Sequence, residues 1–212
     1  MLYVSSYKIH CVTDYFALLD QLRRPWLDPS ALKQRFLALS TPVHPDKLHS
    51  APEAETSAAA KHFSDLNTAY RNLFEPKLRL LNLLELETGA KPPDIQQIPD
   101  GLADLFAEVA VLCKKADAFL AEKKQNPSPL LAVQFFERAQ EWIARLDPLK
   151  NKLGVLRKRL DDELKSLDTA WMNSDATARQ QFLPEIERLY RLLSYFNRWN
   201  NQVQERIVQL VL

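Results

Sequence analysis

The sequence predicts an all-α protein. Three glycines against thirteen prolines in 212 residues favour long helices with sharp stops over sheet, and leave little material for a glycine-rich phosphate loop. Apolar residues recur at helical spacing through most of the chain. Together these observations give an N-terminal helical hairpin, a proline-marked linker and a C-terminal three-helix bundle.

The first hairpin helix opens at Asp28-Pro29, an N-cap acid followed by a proline at the first helical position. Leu32, Phe36 and Leu39 then share one face. Thr41-Pro42 ends the helix, because proline disfavours helical geometry in the residue before it. The tetrapeptide His44-Pro45-Asp46-Lys47 follows, then an open stretch from Leu48 to Pro52. The next helix is Ala-rich, with Phe63, Leu66, Tyr70 and Leu73 on one face, and Glu75-Pro76 stops it. Two amphipathic helices joined by an exposed loop make an antiparallel hairpin.

Pro92-Pro93 and Pro99 mark a linker over 91–100. From Gly101 the series Leu102, Leu105, Phe106, Val109 and Leu112 is helical and continues to about Lys124. Asn126-Pro127-Ser128-Pro129 breaks it. A long amphipathic run from Leu130 towards Trp171 follows a near-heptad stripe that includes Phe135, Ala139, Leu146, Leu149, Leu153, Leu160, Leu164 and Leu167. Asp147-Pro148 and Gly154 are expected to kink this helix without ending it. Asn173-Ser174-Asp175 is a turn and cap, and the last helix is expected from Ala176 nearly to the end. None of the three helices buries its apolar face alone, so a bundle over 101–212 is the economical solution.

Several of these residues carry a specific resemblance. Asp14-Tyr15-Phe16 with Leu18-Leu19, then Leu32, Phe36, Leu39, His44-Pro45-Asp46-Lys47, Leu66-Asn67-Thr68-Ala69-Tyr70 and Leu73, resemble a J domain. Pro76, Arg79, Leu80-Leu81 and Leu83-Leu84, ending near Gly89, resemble the connecting helix of the HscB family, the iron–sulfur cluster co-chaperones. The resemblance implies a J domain over 1–90, in which a short first helix packs across the hairpin. It also implies that the His-Pro-Asp loop stimulates the ATPase of a DnaK-type, HscA-like chaperone, through His44, Pro45, Asp46 and Lys47 with Lys33 and Arg35 on the preceding helix. For the bundle it implies a docking face for an IscU-type cluster scaffold. Asp104-Leu105-Phe106-Ala107 is the nearest match to the family's Phe-Leu-Met-Glu-like motif, and Leu193 to Trp199 resembles the family's C-terminal segment. Leu102, Leu105, Phe106, Val109 and Tyr195 are the resulting scaffold-binding candidates, with Phe106 and Tyr195 expected to be exposed. Ala110 and Cys113 stand where the family often has acids.

Composition bounds the alternatives. The net charge is +1. Residues 1–76 hold eight Lys/Arg and eight Asp/Glu, and residues 77–212 hold twenty and nineteen. Neither part is a basic arm, which argues against general nucleic-acid binding. J domains usually present a basic helix before the loop, whereas here it offers only Lys33 and Arg35, about 200° apart around the helix. That thin charge implies weaker electrostatic attraction or a less acidic partner surface, and Lys47 supplies part of what is missing. No apolar run is long enough to span a membrane. The N-terminus lacks the layout of a secretion signal and has too few arginines for a convincing transit peptide, so a bacterial-type cytoplasmic location is expected in preference to the mitochondrial matrix. Cys11 and Cys113 read as free thiols, which leaves no four-cysteine zinc module.

No enzyme is expected. His44 and Asp46 bracket a proline and are expected to point apart, with no third group for acid–base work. His10, His49 and His62 lack metal-ligand spacing, and no cofactor or metal is expected. Arg157-Lys158-Arg159 followed by Asp161-Asp162-Glu163 reads as a self-compensating solvated face. Two other readings stay open: a J-domain co-chaperone for a different client, and a structural helical adaptor that no longer stimulates a chaperone.

Overall fold

The computed structural model describes residues 12–44, 46, 52–93, 101–126 and 128–212. Its helices are α1 (Tyr15–Leu18), α2 (Pro29–Ser40), α3 (Glu53–Phe74), α4 (Pro76–Thr88), α5 (Ala103–Gln125), α6 (Ala132–Met172), α7 (Ala176–Arg179) and α8 (Leu183–Val211), with no strand among the described residues. The chain is all-α. It divides into two compact units, residues 1–93 with 167–187, and residues 94–166 with 188–212. The sequence reading kept 101–212 together; the contacts group the last turn of α6, α7 and the start of α8 with the first unit.

In the first unit the boundaries follow from single residues. Asp28 caps α2 by accepting from the Ala31 N–H at 2.8 Å, with Pro29 at the first helical position. α2 stops at Ser40, with Thr41-Pro42 beyond it. α4 ends in Gly89, whose φ of +72° is a left-handed conformation that glycine adopts without strain. α2 and α3 form an antiparallel hairpin. Phe36 stacks on Tyr70 at 4.6 Å between ring centroids, and His44, at the far end of α2, meets Phe63 one or two turns earlier on α3 at 5.0 Å. α1 packs on α3, as does α4. Phe16, Leu19, Leu32, Leu66, Leu73, Leu80 and Leu83 fill the core between them.

Three polar side chains organise this unit. Arg79 of α4 is buried and donates to the Pro25 carbonyl at 2.8 Å and the Leu73 carbonyl at 2.7 Å. Asn82 accepts from the Tyr15 N–H and donates to the Thr13 carbonyl at 2.8 Å, fixing the entry to α1. Asp168, only 4% exposed on the last turn of α6, accepts from Arg24 through both guanidinium arms and from the Trp26 N–H at 3.1 Å. Trp171, one turn on, is fully buried and donates its indole N–H to the Arg23 carbonyl at 2.9 Å. The loop joining α1 to α2 is therefore held from two sides, by α4 and by residues 168–171.

The second unit is a three-helix bundle. Glu108 with Lys152 and Glu122 with Arg138 run α5 and α6 antiparallel. Glu163 with Arg188 and Arg157 with Phe196 do the same for α6 and α8. Phe106 with Trp199 and Asp117 with Arg206 make α5 and α8 parallel. Buried residues of α6 fall at Phe135, Ala139, Leu146, Leu149, Leu153, Leu160 and Leu164, a heptad seam. Phe119 of α5 and Leu210 of α8 pack on its N-terminal end. α6 runs 41 residues through Pro148. That proline is exposed, so the helix loses one ladder hydrogen bond on the side that water can reach.

One boundary differs from the sequence reading. A single helix was expected from Ala176. Asp175 does cap a helix there, accepting from the Ala178 N–H at 2.8 Å, but it lasts only to Arg179. A 3-10 turn, Gln180–Phe182, precedes α8. Pro184 accounts for the break: its ring clashes with the carbonyl four residues back in a continuous helix, yet sits well as the second residue of a new one.

Candidate functional site

Two surfaces hold the residues singled out from the sequence. The first is the open end of the α2–α3 hairpin. Asp28 and Pro29 start α2, Thr41 and Pro42 stop it, and His44 follows at its C-terminal end. The His44 imidazole lies edge-on to Phe63 at 79° between ring planes, which fixes the ring against α3. The Asp46 N–H donates to His44 Nδ1 at 3.3 Å, and an Asp46 carboxylate oxygen lies 3.6 Å from the same nitrogen. The two side chains thus face each other across the intervening residue; the expectation that they point apart is corrected. The backbone bond from Asp46 draws the ring inward. The Asp46 side chain is 80% exposed and its carboxylate is open to a partner. Pro45 and Lys47, the other loop candidates, lie outside the described residues.

On α2, Lys33 is exposed. Arg35 is tied to Asp20, which sits in a left-handed turn at φ +49° after α1, so much of its charge is compensated within the unit. Leu37 is a half-exposed leucine on the same helix. This α2 surface carries little net charge.

The second surface is a groove between α5 and α8 of about 340 Å³. It brings together three of the five sequence candidates, Phe106, Val109 and Tyr195. Phe106 is 41% exposed and forms a wall, its ring 6.2 Å from that of Trp199. Val109 is 1% exposed and Tyr195 8%, so both belong to the floor, beside Cys113 and Trp199. The expectation that Tyr195 is exposed is corrected. α8 is enclosed by α5 and α6, and Leu192, Leu193, Tyr195, Phe196 and Trp199 are all buried around it. Leu102 and Leu105 are half-buried and lie outside the groove lining. Burial pushes the Cys113 thiol above the ordinary cysteine range, so it is a neutral part of the apolar floor.

Sequence reading passed over the groove's rim. Lys114 and Arg198 are exposed there, and Arg206 forms a bidentate pair with Asp117 at 2.9 and 3.0 Å. The signal was present as Lys114 and Asp117 at i+8 and i+11 from Phe106, but only the packing of α8 shows that they share a groove.

Other candidates stay apart. His62 is exposed on α3, and His10, His49 and Cys11 lie outside the described residues. No group of three or more His, Cys, Asp and Glu side chains among the described residues is placed to hold a metal ion. No helix among them is long and apolar enough to cross a membrane. The charge run on α6 compensates itself: Arg157 meets Asp161 at 3.0 Å and Arg159 meets Glu163 at 2.8 Å.

No family model matches the chain. The human iron–sulfur cluster co-chaperone protein HscB is 28% identical over 155 residues, which cover 65% of this chain and 65% of that protein. The mouse protein of the same name matches with the same identity and coverage. The chain spans 65% of the length of these curated relatives. Among solved structures, chaperone HscB from Vibrio cholerae aligns with a TM-score of 0.59 at 22% identity, over 93% of this chain and 99% of that one. Human co-chaperone HscB aligns at 0.55 and 21%, over 93% and 82%. At these identities the structural matches speak for the fold, an all-α chain with a helical bundle. The chain is thus similar to HscB-type co-chaperones, in sequence over 155 residues and in fold over most of its length.

Proposed function

We propose that this protein is a two-ended adaptor in iron–sulfur cluster assembly and is not itself an enzyme. One end stimulates the ATPase of a DnaK-type, HscA-like chaperone. The other delivers an IscU-type scaffold, and both partners meet it in the cytoplasm. The observation that carries the first half is the pair His44 and Asp46 at the open end of a hairpin whose far end is packed. His44 is braced on Phe63, and the Asp46 carboxylate is exposed. Pro45 between them has a fixed φ, so docking costs the loop little conformational entropy. The kinship to HscB co-chaperones supports the partner assignment. For the second half, the support is the α5–α8 groove, in which Phe106 is the exposed wall and Val109 and Tyr195 are floor.

Asp46→Asn keeps the size of the side chain and one acceptor oxygen, and removes its charge. In single-turnover ATP hydrolysis by the chaperone, this variant gives the basal rate, with an unchanged helical circular-dichroism spectrum. Full stimulation by the variant would refute the loop's role.

A further inference from the structure

The α5–α8 groove pairs an apolar floor with a cationic rim. Val109, Cys113 and Trp199 beneath it are buried, and the Cys113 thiol is neutral. Three cations line it, Lys114, Arg198 and Arg206, against one carboxylate, Asp117. Arg206 and Asp117 neutralise each other as a bidentate pair. Lys114 and Arg198 are left over: neither has a carboxylate partner among the described residues, and Arg198 lies over the Tyr195 ring at 5.9 Å. Glu108, the nearest acid on α5 before the groove, is occupied by Lys152 at 2.7 Å. The groove therefore presents uncompensated positive charge around a space sized for one or two aliphatic side chains. A partner that buried an apolar group here beside its own lysines would face unpaired like charges, whereas carboxylates would meet two ready cations.

We infer that this groove takes a partner segment in which an aliphatic anchor is flanked by carboxylates, the anchor against Phe106 and Trp199 and the carboxylates on Lys114 and Arg198. The inference rests on the reading of the bundle as the scaffold-binding end and specifies the chemistry the scaffold must show there. Charge sign at the rim becomes the specificity element, and the floor supplies affinity.

The test uses the full chain, wild type and the double variant Lys114→Glu/Arg198→Glu, with two kinds of probe: the IscU-type scaffold from the same organism, and a matched pair of fluorescent peptides, Glu-Leu-Leu-Glu and Lys-Leu-Leu-Lys in identical flanks. Both variant positions are exposed, and an unchanged melting temperature verifies folding. The expected result is scaffold binding that weakens at least tenfold in the double variant, and a Glu-flanked peptide that binds wild type in preference to the Lys-flanked one, with the preference reversed in the variant. Scaffold binding that the charge reversal leaves unchanged or strengthens overturns the inference while the scaffold reading stands. Preference for the Glu-flanked peptide without scaffold binding supports the groove chemistry and overturns the scaffold as its source. Binding of neither probe overturns both.

Discussion

Asp168 shows how one buried carboxylate shapes the N-terminal unit. It sits on the last turn of α6, yet its partners are Arg24 and the Trp26 N–H, more than 140 residues earlier. Burying a carboxylate is costly unless its lone pairs are satisfied, and here the Arg24 fork and a backbone N–H satisfy them. The same pair raises the Arg24 pKa above the ordinary arginine value, chiefly through the hydrogen bond to Asp168. Asp168→Ala leaves Arg24 partly solvated and the Trp26 N–H without its acceptor. Chemical denaturation should therefore show a loss of about 2 kcal/mol. A change within about 0.5 kcal/mol, the range of a surface substitution, would mean that the clamp is decorative. Cys113 gives a second residue-level expectation. In a Cys11→Ser background, its buried neutral thiol should react with a thiol reagent only as fast as the bundle opens, far more slowly than in denaturant.

Elements were legible in the sequence wherever a local residue sets a boundary. Asp28-Pro29, Thr41-Pro42, Glu75-Pro76 and Gly89 each mark an end that the structure reproduces, because capping and proline sterics act within one turn. The break at 180–182 was missed because Pro184 is compatible with a helix start as well as a helix end, and periodicity alone does not tell them apart. The burial of Tyr195 was missed for a different reason: a stripe shows which face is apolar, not how many neighbours cover it. Pro148, inside α6 and exposed, tests the helix directly. Pro148→Ala restores the missing ladder bond and should stabilise the bundle by about 2 kcal/mol, the helical gain of about 3 reduced by about 1 for the entropy returned to the unfolded chain. Between α6 and α8, Glu163 accepts from Arg159 and Arg188. Burial works to raise its pKa, but the two guanidiniums outweigh it and hold the carboxyl below the ordinary glutamate range. A depressed folded-state pKa contributes stability that is complete above the unfolded value of about 4.3 and is lost as pH falls through the folded value. Glu163→Gln should therefore flatten part of the acid limb of the stability–pH curve. An identical limb in the variant would exclude this contact as a source of acid sensitivity.

At the scale of the whole molecule, the hairpin and the groove stand on separate units, and a two-ended adaptor uses both. The loop residues were legible because the His44-Pro45-Asp46 string lies between two well-marked helices. The groove was only partly legible: Phe106 and Val109 share a helical stripe, but Tyr195 joins them only through the pairing of α5 with α8, and the rim cations are invisible without it. Under the proposed function, joining both surfaces in one chain would make client capture beside the chaperone nearly intramolecular, with an effective concentration on the order of millimolar. The most direct test is single-turnover ATP hydrolysis by the cognate DnaK-type chaperone, with this protein alone, with the IscU-type scaffold alone and with both. Stimulation by the pair that exceeds the product of the separate effects is the predicted result. Stimulation by the protein that scaffold leaves unchanged, or no stimulation at all, would contradict the two-ended adaptor.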